Sequence, residues 1–184
     1  MKYILFTALL ITLSSATLKA QNFRELDKSP MDMAYFPDNF AHDRKPGQKA
    51  IARVTYSRPQ KSGREIFGKL VPYGKVWRAG ANEASEIKFY EDVNLGGKNV
   101  KAGTYSLFTI PGEKEWTIIL NNDLDYWGAY SYNTKNDVLR VTAPATESSN
   151  AVENFTIQFE SKGEKQGAMK FAWDKTVVEV PIRM

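Results

Sequence analysis

The sequence predicts an all-β fold, an antiparallel β-sandwich or jelly-roll-like arrangement of about nine to ten strands. Three observations predict it. From Lys49 onward apolar residues recur with period two, the mark of strands that bury one face. Glycine, proline, asparagine and aspartate punctuate that pattern at short intervals. Only one short helix is expected, a turn or two over 65–70, ended by Pro72.

The elements follow in order. Residues 1–20 are read as a signal peptide: Lys2 gives a positive start, Ile4 to Leu13 an apolar run, and small and polar residues lead to Ala20. That run falls short of the roughly 20 apolar residues that a spanning helix needs, and no later segment approaches that length. Residues 21–48, "QNFRELDKSPMDMAYFPDNFAHDRKPGQ", hold three prolines and no sustained period. They are expected to form an irregular N-terminal arm that packs Met33, Tyr35 and Phe36 onto the body or stays partly mobile. Residues 49–184 form the single β domain.

Within that domain Ala52, Val54 and Tyr56 share one strand face. Ile87 and Phe89 begin a hairpin that turns at "NLGGKN" and returns as "VKAGTYSLFTI". Pro111-Gly112 makes the next turn, before "EWTIILN" aligns Trp116, Ile118 and Leu120. Further strands are expected at "YWGAYSYN", "VLRVTA", "NFTIQFE", "MKFAW" and "VVEVPI", with "DK" as a tight turn between the last two.

Composition limits the chemistry. The chain of 184 residues carries 25 basic and 21 acidic side chains, one histidine and no cysteine. Loss of Lys2 and Lys19 with the leader leaves 23 basic against 21 acidic residues, a net charge of +2. This near balance lacks the basic footprint of a nucleic-acid binder. Without cysteine there is no disulfide and no lipid-attachment site, and the core alone must hold the fold. The expected location is outside the cytoplasm, periplasmic or secreted, with no membrane span.

One histidine and no cysteine exclude the usual zinc sets. His42, beside Asp43 in the arm, reads as a surface pair, and no G-x-S-x-G elbow accompanies it. No phosphate loop or dinucleotide fingerprint occurs, so no metal or cofactor is expected. Asn121, Asp123 and Asp125 have the opening spacing of a calcium loop, but Tyr126 and Tyr132 stand where glycine and glutamate are required. An Asx-rich turn is the simpler reading.

The chemistry that remains is cationic. Between Lys49 and Gly80 eight basic residues face a single acid, Glu65. Pro59 extends Arg58, Gly63 frees the backbone beside Arg64, and Trp77 flanks Arg78. Fixed guanidinium groups suit carboxylate or phosphate, because the planar fork donates two parallel hydrogen bonds. Three readings follow. The preferred one is a noncatalytic binding domain in which Arg58, Arg64 and Arg78, with Trp77, Asn82 and Glu83, read an anion. Tyr126, Tyr130 and Tyr132 then offer a stacking face, and the partner is an anionic small molecule, a glycan or an envelope protein. The second is a hydrolase or lyase using Glu83 as acid or base with an arginine stabilising an oxyanion. The third is a structural module whose arginines pair internally with acids such as Glu83, Glu86, Asp123 or Asp125. The tyrosines likewise fit cross-strand packing.

The blocks "TYSRPQKSGREIFGKLVPYGKVWRAGANEASEIKF", "GTYSLFTIPGEKEWTIILN" and "WGAYSY" resemble the signature of an exported bacterial family known as a domain of unknown function. "LDKSPMDMAYFP" is similar to a short block that precedes that domain, so the resemblance runs from about Leu26 to Arg183. It implies an exported domain, common in Gram-negative bacteria, with no assigned activity, cofactor or substrate. It marks Arg58, Pro59, Gly63, Arg64, Gly68, Pro72, Trp77, Arg78, Gly80, Asn82 and Glu83 without giving any of them a role. Ser85 stands where the blocks suggest threonine, and the lysine expected before Gly63 is displaced to Lys61.

Overall fold

A computed structural model describes residues 23–184; the expected signal peptide lies outside the described residues. The strands are β1 (Met31–Phe36), β2 (Ala52–Ser57), β3 (Ser85–Phe89), β4 (Val93–Leu95), β5 (Lys98–Val100), β6 (Gly103–Ile110), β7 (Glu115–Asn121), β8 (Asp137–Gly163) and β9 (Gln166–Arg183). They form one nine-stranded antiparallel sheet in the order β1-β2-β3-β6-β7-β8-β9-β4-β5. The all-β expectation holds.

The central strands follow the period-two pattern. In β2 the buried Ala52, Val54 and Tyr56 alternate with half-buried Arg53 and Thr55. β3 pairs with β6 from Ser85↔Leu107 to Phe89↔Gly103, the pairing read from the hairpin signal. The connection holds a hairpin of its own, β4–β5, turned by Gly96 and Gly97 in left-handed backbone. At Gly96 a Cβ would stand 2.9 Å from a methyl of Val141, so turn conformation and packing both select glycine.

The long strands β8 and β9 close the molecule. β8 pairs with β7 through Pro144 and with β9 from Ala145 onward, so one strand serves two parts of the sheet. The sheet folds back, because Phe159 of β8 stacks on Phe36 of β1 at 5.7 Å and Phe155 meets Tyr56 of β2 edge-on at 5.9 Å. A continuous apolar core fills the space between, with Trp116, Trp173, Phe89 and Phe171 among its fully buried members.

Four local expectations are corrected. The arm is not wholly irregular: "MDMAYF" is β1, paired with β2 from Met31↔Ser57 to Phe36↔Ala52, because Phe36 supplies a core anchor while β2 offers a free edge. Met33, expected to pack, is 52% exposed. Residues 65–70 are not helical; Gly68 is left-handed, Val71 donates to the Ile66 carbonyl, and Phe67 bridges to Val71, so the segment is a tight loop. The short α-helix is Phe40–Asp43 instead. "MKFAW" and "VVEVPI" belong to one strand that passes through Asp174, whose φ of 51° marks a register shift rather than a reversal. "VLRVTA" and "NFTIQFE" are likewise parts of β8.

Candidate functional site

The loop from Arg58 to Ala84 is pinned at three places, and each pin sets the fate of one arginine. At the first, Phe155 of β8 donates its amide to the Pro59 carbonyl, and Lys61 donates to the Glu153 carbonyl. Arg58 sits at this junction and is fully engaged. Its Nε donates to the Phe155 carbonyl, one terminal nitrogen to Thr156 Oγ1, and the other pairs with Asp32 of β1 at 2.9 Å. Arg58 therefore ties β1, β2 and β8 together.

At the second pin the chain turns through Ser62 and Gly63, both with positive φ. Arg64 folds back and donates Nε to the Lys61 carbonyl at 3.0 Å and Nη2 to the Gln60 carbonyl. The side chain is held by its own loop, without a carboxylate. Its Nη1 has no hydrogen bond among the described residues.

At the third pin Trp77 exchanges two backbone hydrogen bonds with Thr109, at 2.7 and 2.8 Å, beyond the point where β3 leaves β6. The loop that follows is closed from within. Trp77 Nε1 donates to the Gly80 carbonyl, Ser85 Oγ to the Ala79 carbonyl at 2.6 Å, and the Ser85 amide to the Arg78 carbonyl. Ala79 and Asn82 hold left-handed backbone, with φ of 51° and 58°, a conformation that costs a non-glycine residue about 1–2 kcal/mol. Gly80 lies against β2, where a Cβ would stand 3.1 Å from the Ser57 carbonyl.

Arg78 projects from this rigid loop. It is half-buried, its side chain makes no ion pair or hydrogen bond among the described residues, and its Nε is buried without a partner. Desolvation lowers its pKa from the ordinary guanidinium value, while Tyr130 acts in the opposite direction. Arg64, Lys75 and Arg78 line one cavity of about 270 Å³. Val71, Trp77 and Trp173 provide buried lining, and Pro59, Leu70, Pro72 and Val76 its sides. Among the described residues no acid lines it. Trp77 and Trp173 stack with ring centroids 5.9 Å apart.

The other expected site residues are distributed. Glu83 is exposed, pairs its backbone with Trp127, and lines a separate cavity with Glu86, Asp125 and Tyr126. Asn82 donates to Asp27, and its carbonyl accepts from the Gly128 amide. Residues 126–133 form a turn rather than the expected strand, because Gly128 is left-handed and the segment folds over the outer face of β6. The three tyrosines accordingly share no face. Tyr126 and Tyr132 pack edge-on against Phe108 at 5.8 and 5.0 Å, whereas Tyr130 is 86% exposed. Burial and the Asp137 carboxylate push the Tyr132 hydroxyl up to about 12.

Asn121 Oδ1 accepts from the Asp123 amide, and Asp123 accepts from Tyr126 and Asn136, so the acid-rich stretch is an Asx turn. His42 contacts Asp43 at 2.6 Å on the surface. Sequence reasoning missed Trp173 and gave Lys75 no individual role. The apolar run "MKFAW" signalled that Trp173 is buried, but not that it reaches the Arg58–Ala84 loop.

The fold and cavity define a class, an all-β domain with a small acid-free cationic pocket beside paired tryptophans. The chain belongs to the family described as "Protein of unknown function (DUF2911)", which matches residues 38–182. No curated protein and no solved structure matches it. No helix among the described residues is long and apolar enough to cross a membrane.

Proposed function

We propose that this protein is a noncatalytic binding domain of the bacterial envelope, periplasmic or secreted, that holds an anionic ligand in the Arg64–Lys75–Arg78 cavity. The observation that carries the reading is Arg78, a half-buried guanidinium with an orphan Nε on a loop fixed by internal hydrogen bonds. Arg78 lines the cavity, and its guanidinium has no acceptor among the described residues, so an anion entering the cavity would supply one. Strained backbone at Ser62, Ala79 and Asn82 in the same loop agrees, since such residues collect at ligand sites.

The anion-reading group is thus narrower than the three arginines of the sequence. Arg58 serves the fold, and Lys75 joins Arg64 and Arg78. The acid-free lining also favours binding over catalysis, because Glu83 opens onto a different cavity and supplies no acid or base beside the arginines.

Tryptophan fluorescence tests the reading directly, since Trp77 and Trp173 lie at the cavity. Titration with a panel of phosphate, sulfate, carboxylates and acidic oligosaccharides is expected to give a saturable change. Arg78→Gln is expected to weaken it about tenfold or more. An unchanged titration in folded Arg78→Gln would reject the reading. Mass spectrometry of the secreted or periplasmic chain tests export: a mature start near Gln21 supports it, and retention of Met1 in a cytoplasmic product contradicts it.

A further inference from the structure

We infer that the ligand is a small organic monocarboxylate with a short apolar body, an inference that rests on the anion-binding reading above. Three features of the cavity select this class. The first is the donor geometry. Arg78 lines the cavity and only its Nε is a buried atom without a partner, which leaves the terminal Nη1 and Nη2 edge, with its two parallel N–H groups, for a ligand. A planar carboxylate matches that edge with its two oxygens. Arg64 has spent Nε and Nη2 on backbone carbonyls and retains Nη1 alone, while Lys75 adds one mobile ammonium. A helix N-terminus is a common cradle for phosphate, and neither short helix of the described residues lines this cavity.

The second feature is the wall. Leu70, Val71, Pro72, Trp77 and Trp173 give the cavity an apolar side next to its cations. An inorganic anion would leave that side wet, whereas a ligand with an apolar body covers it. The third is size. A volume of about 270 Å³ lies below the roughly 300–1,000 Å³ range of drug-sized ligand pockets, which fits a small acid better than a polymer segment.

Calorimetric titration of the purified protein with hexanoate, acetate, hexanol and inorganic phosphate separates the contributions of charge and body. Hexanoate is expected to bind at one site, at least about tenfold tighter than acetate, since each fully buried methylene contributes about fourfold. It should also exceed both phosphate and hexanol. Arg78→Gln should weaken hexanoate about tenfold or more. Leu70→Ser, a change at a residue 45% exposed, should weaken hexanoate and leave acetate unchanged. Lys75→Gln, at another exposed position, supplies a second charge test should Arg78→Gln fail to fold, and is expected to weaken hexanoate more than hexanol.

Arg78-dependent phosphate binding as tight as that of hexanoate would overturn the carboxylate inference and leave the anion reading standing. Hexanol binding as tightly as hexanoate, or no anion responding to either charge variant, would overturn both.

Discussion

Trp77 and Trp173 stack at 5.9 Å with an interplanar angle of 16°, joining the cationic loop to strand β9. Phe155, Phe67 and Trp116 surround Trp77 edge-on, at 4.9, 6.0 and 6.1 Å. Trp173→Ala should therefore destabilise the protein by about 3–5 kcal/mol through lost burial and a cavity. It should also remove one wall of the cavity that Arg64, Lys75 and Arg78 line. Urea unfolding monitored by circular dichroism checks the first effect independently of fluorescence.

Arg58 is expected to behave as a structural residue. Its partners are the Phe155 carbonyl, Thr156 and Asp32, and its removal leaves the carbonyl without a donor. Arg58→Ala should cost about 1–3 kcal/mol. Ligand affinity, measured below the unfolding transition, should stay within about twofold of the parent, consistent with the small effect of changes away from the contacts.

Gly167 should tolerate no side chain. A Cβ there would collide with the Glu160 carbonyl and stand 2.8 Å from the Phe36 ring, which itself stacks on Phe159. Gly167→Ala is expected to lower stability by about 1–3 kcal/mol, the usual range for overpacking. A larger rise in hydrogen exchange over the parent in the edge strand β1 than in the interior strand β6 would mark the loss as a displacement of Phe36.

Alkaline stability should depend on Tyr132. Burial raises the hydroxyl above its ordinary value of 10.0 to about 12, and the hydrogen bond to Asp137 acts the same way. The folded protein then retains this proton between those values while the unfolded chain releases it. The stabilisation is complete below pH 10, and it is lost as pH rises through about 12. Tyr132→Phe should give a shallower fall in urea midpoint across that window. Tyr56 and Tyr126, also shifted upward, should leave a residual slope.

The sequence was most legible where a strand buries one face and wets the other. β2, β3, β6 and β7 are of this kind, and Ala52, Val54 and Tyr56 or Trp116, Ile118 and Leu120 declare themselves by alternation. β8 and β9 appear in the sequence only as fragments because the run between Pro144 and Asn154 is mostly polar and exposed, and Asp174 interrupts the pattern. There the backbone ladder continues, with shifts in register, while the side chains carry no apolar period.

The cationic loop was legible as a concentration of charge, but the division of labour within it was not. Arg58 finds Asp32 in a segment that reads as irregular, and β8 supplies its other partners from far along the chain. Arg64 is satisfied by the carbonyls of its own turn, which residue types do not reveal. That no described residue accepts from the Arg78 side chain follows only from the three-dimensional arrangement, in which Glu83 and Glu86 line another cavity.

The claim that Arg78 serves a ligand rather than the fold is tested most directly by measuring stability and anion affinity together in Arg78→Gln. The account predicts an unfolding free energy within about 0.5 kcal/mol of the parent, as for a change that breaks no established contact. The same variant should bind the anion about tenfold or more weakly. A loss of about 3 kcal/mol or more, of the size that follows rupture of a buried ion pair, with anion affinity retained, would contradict it.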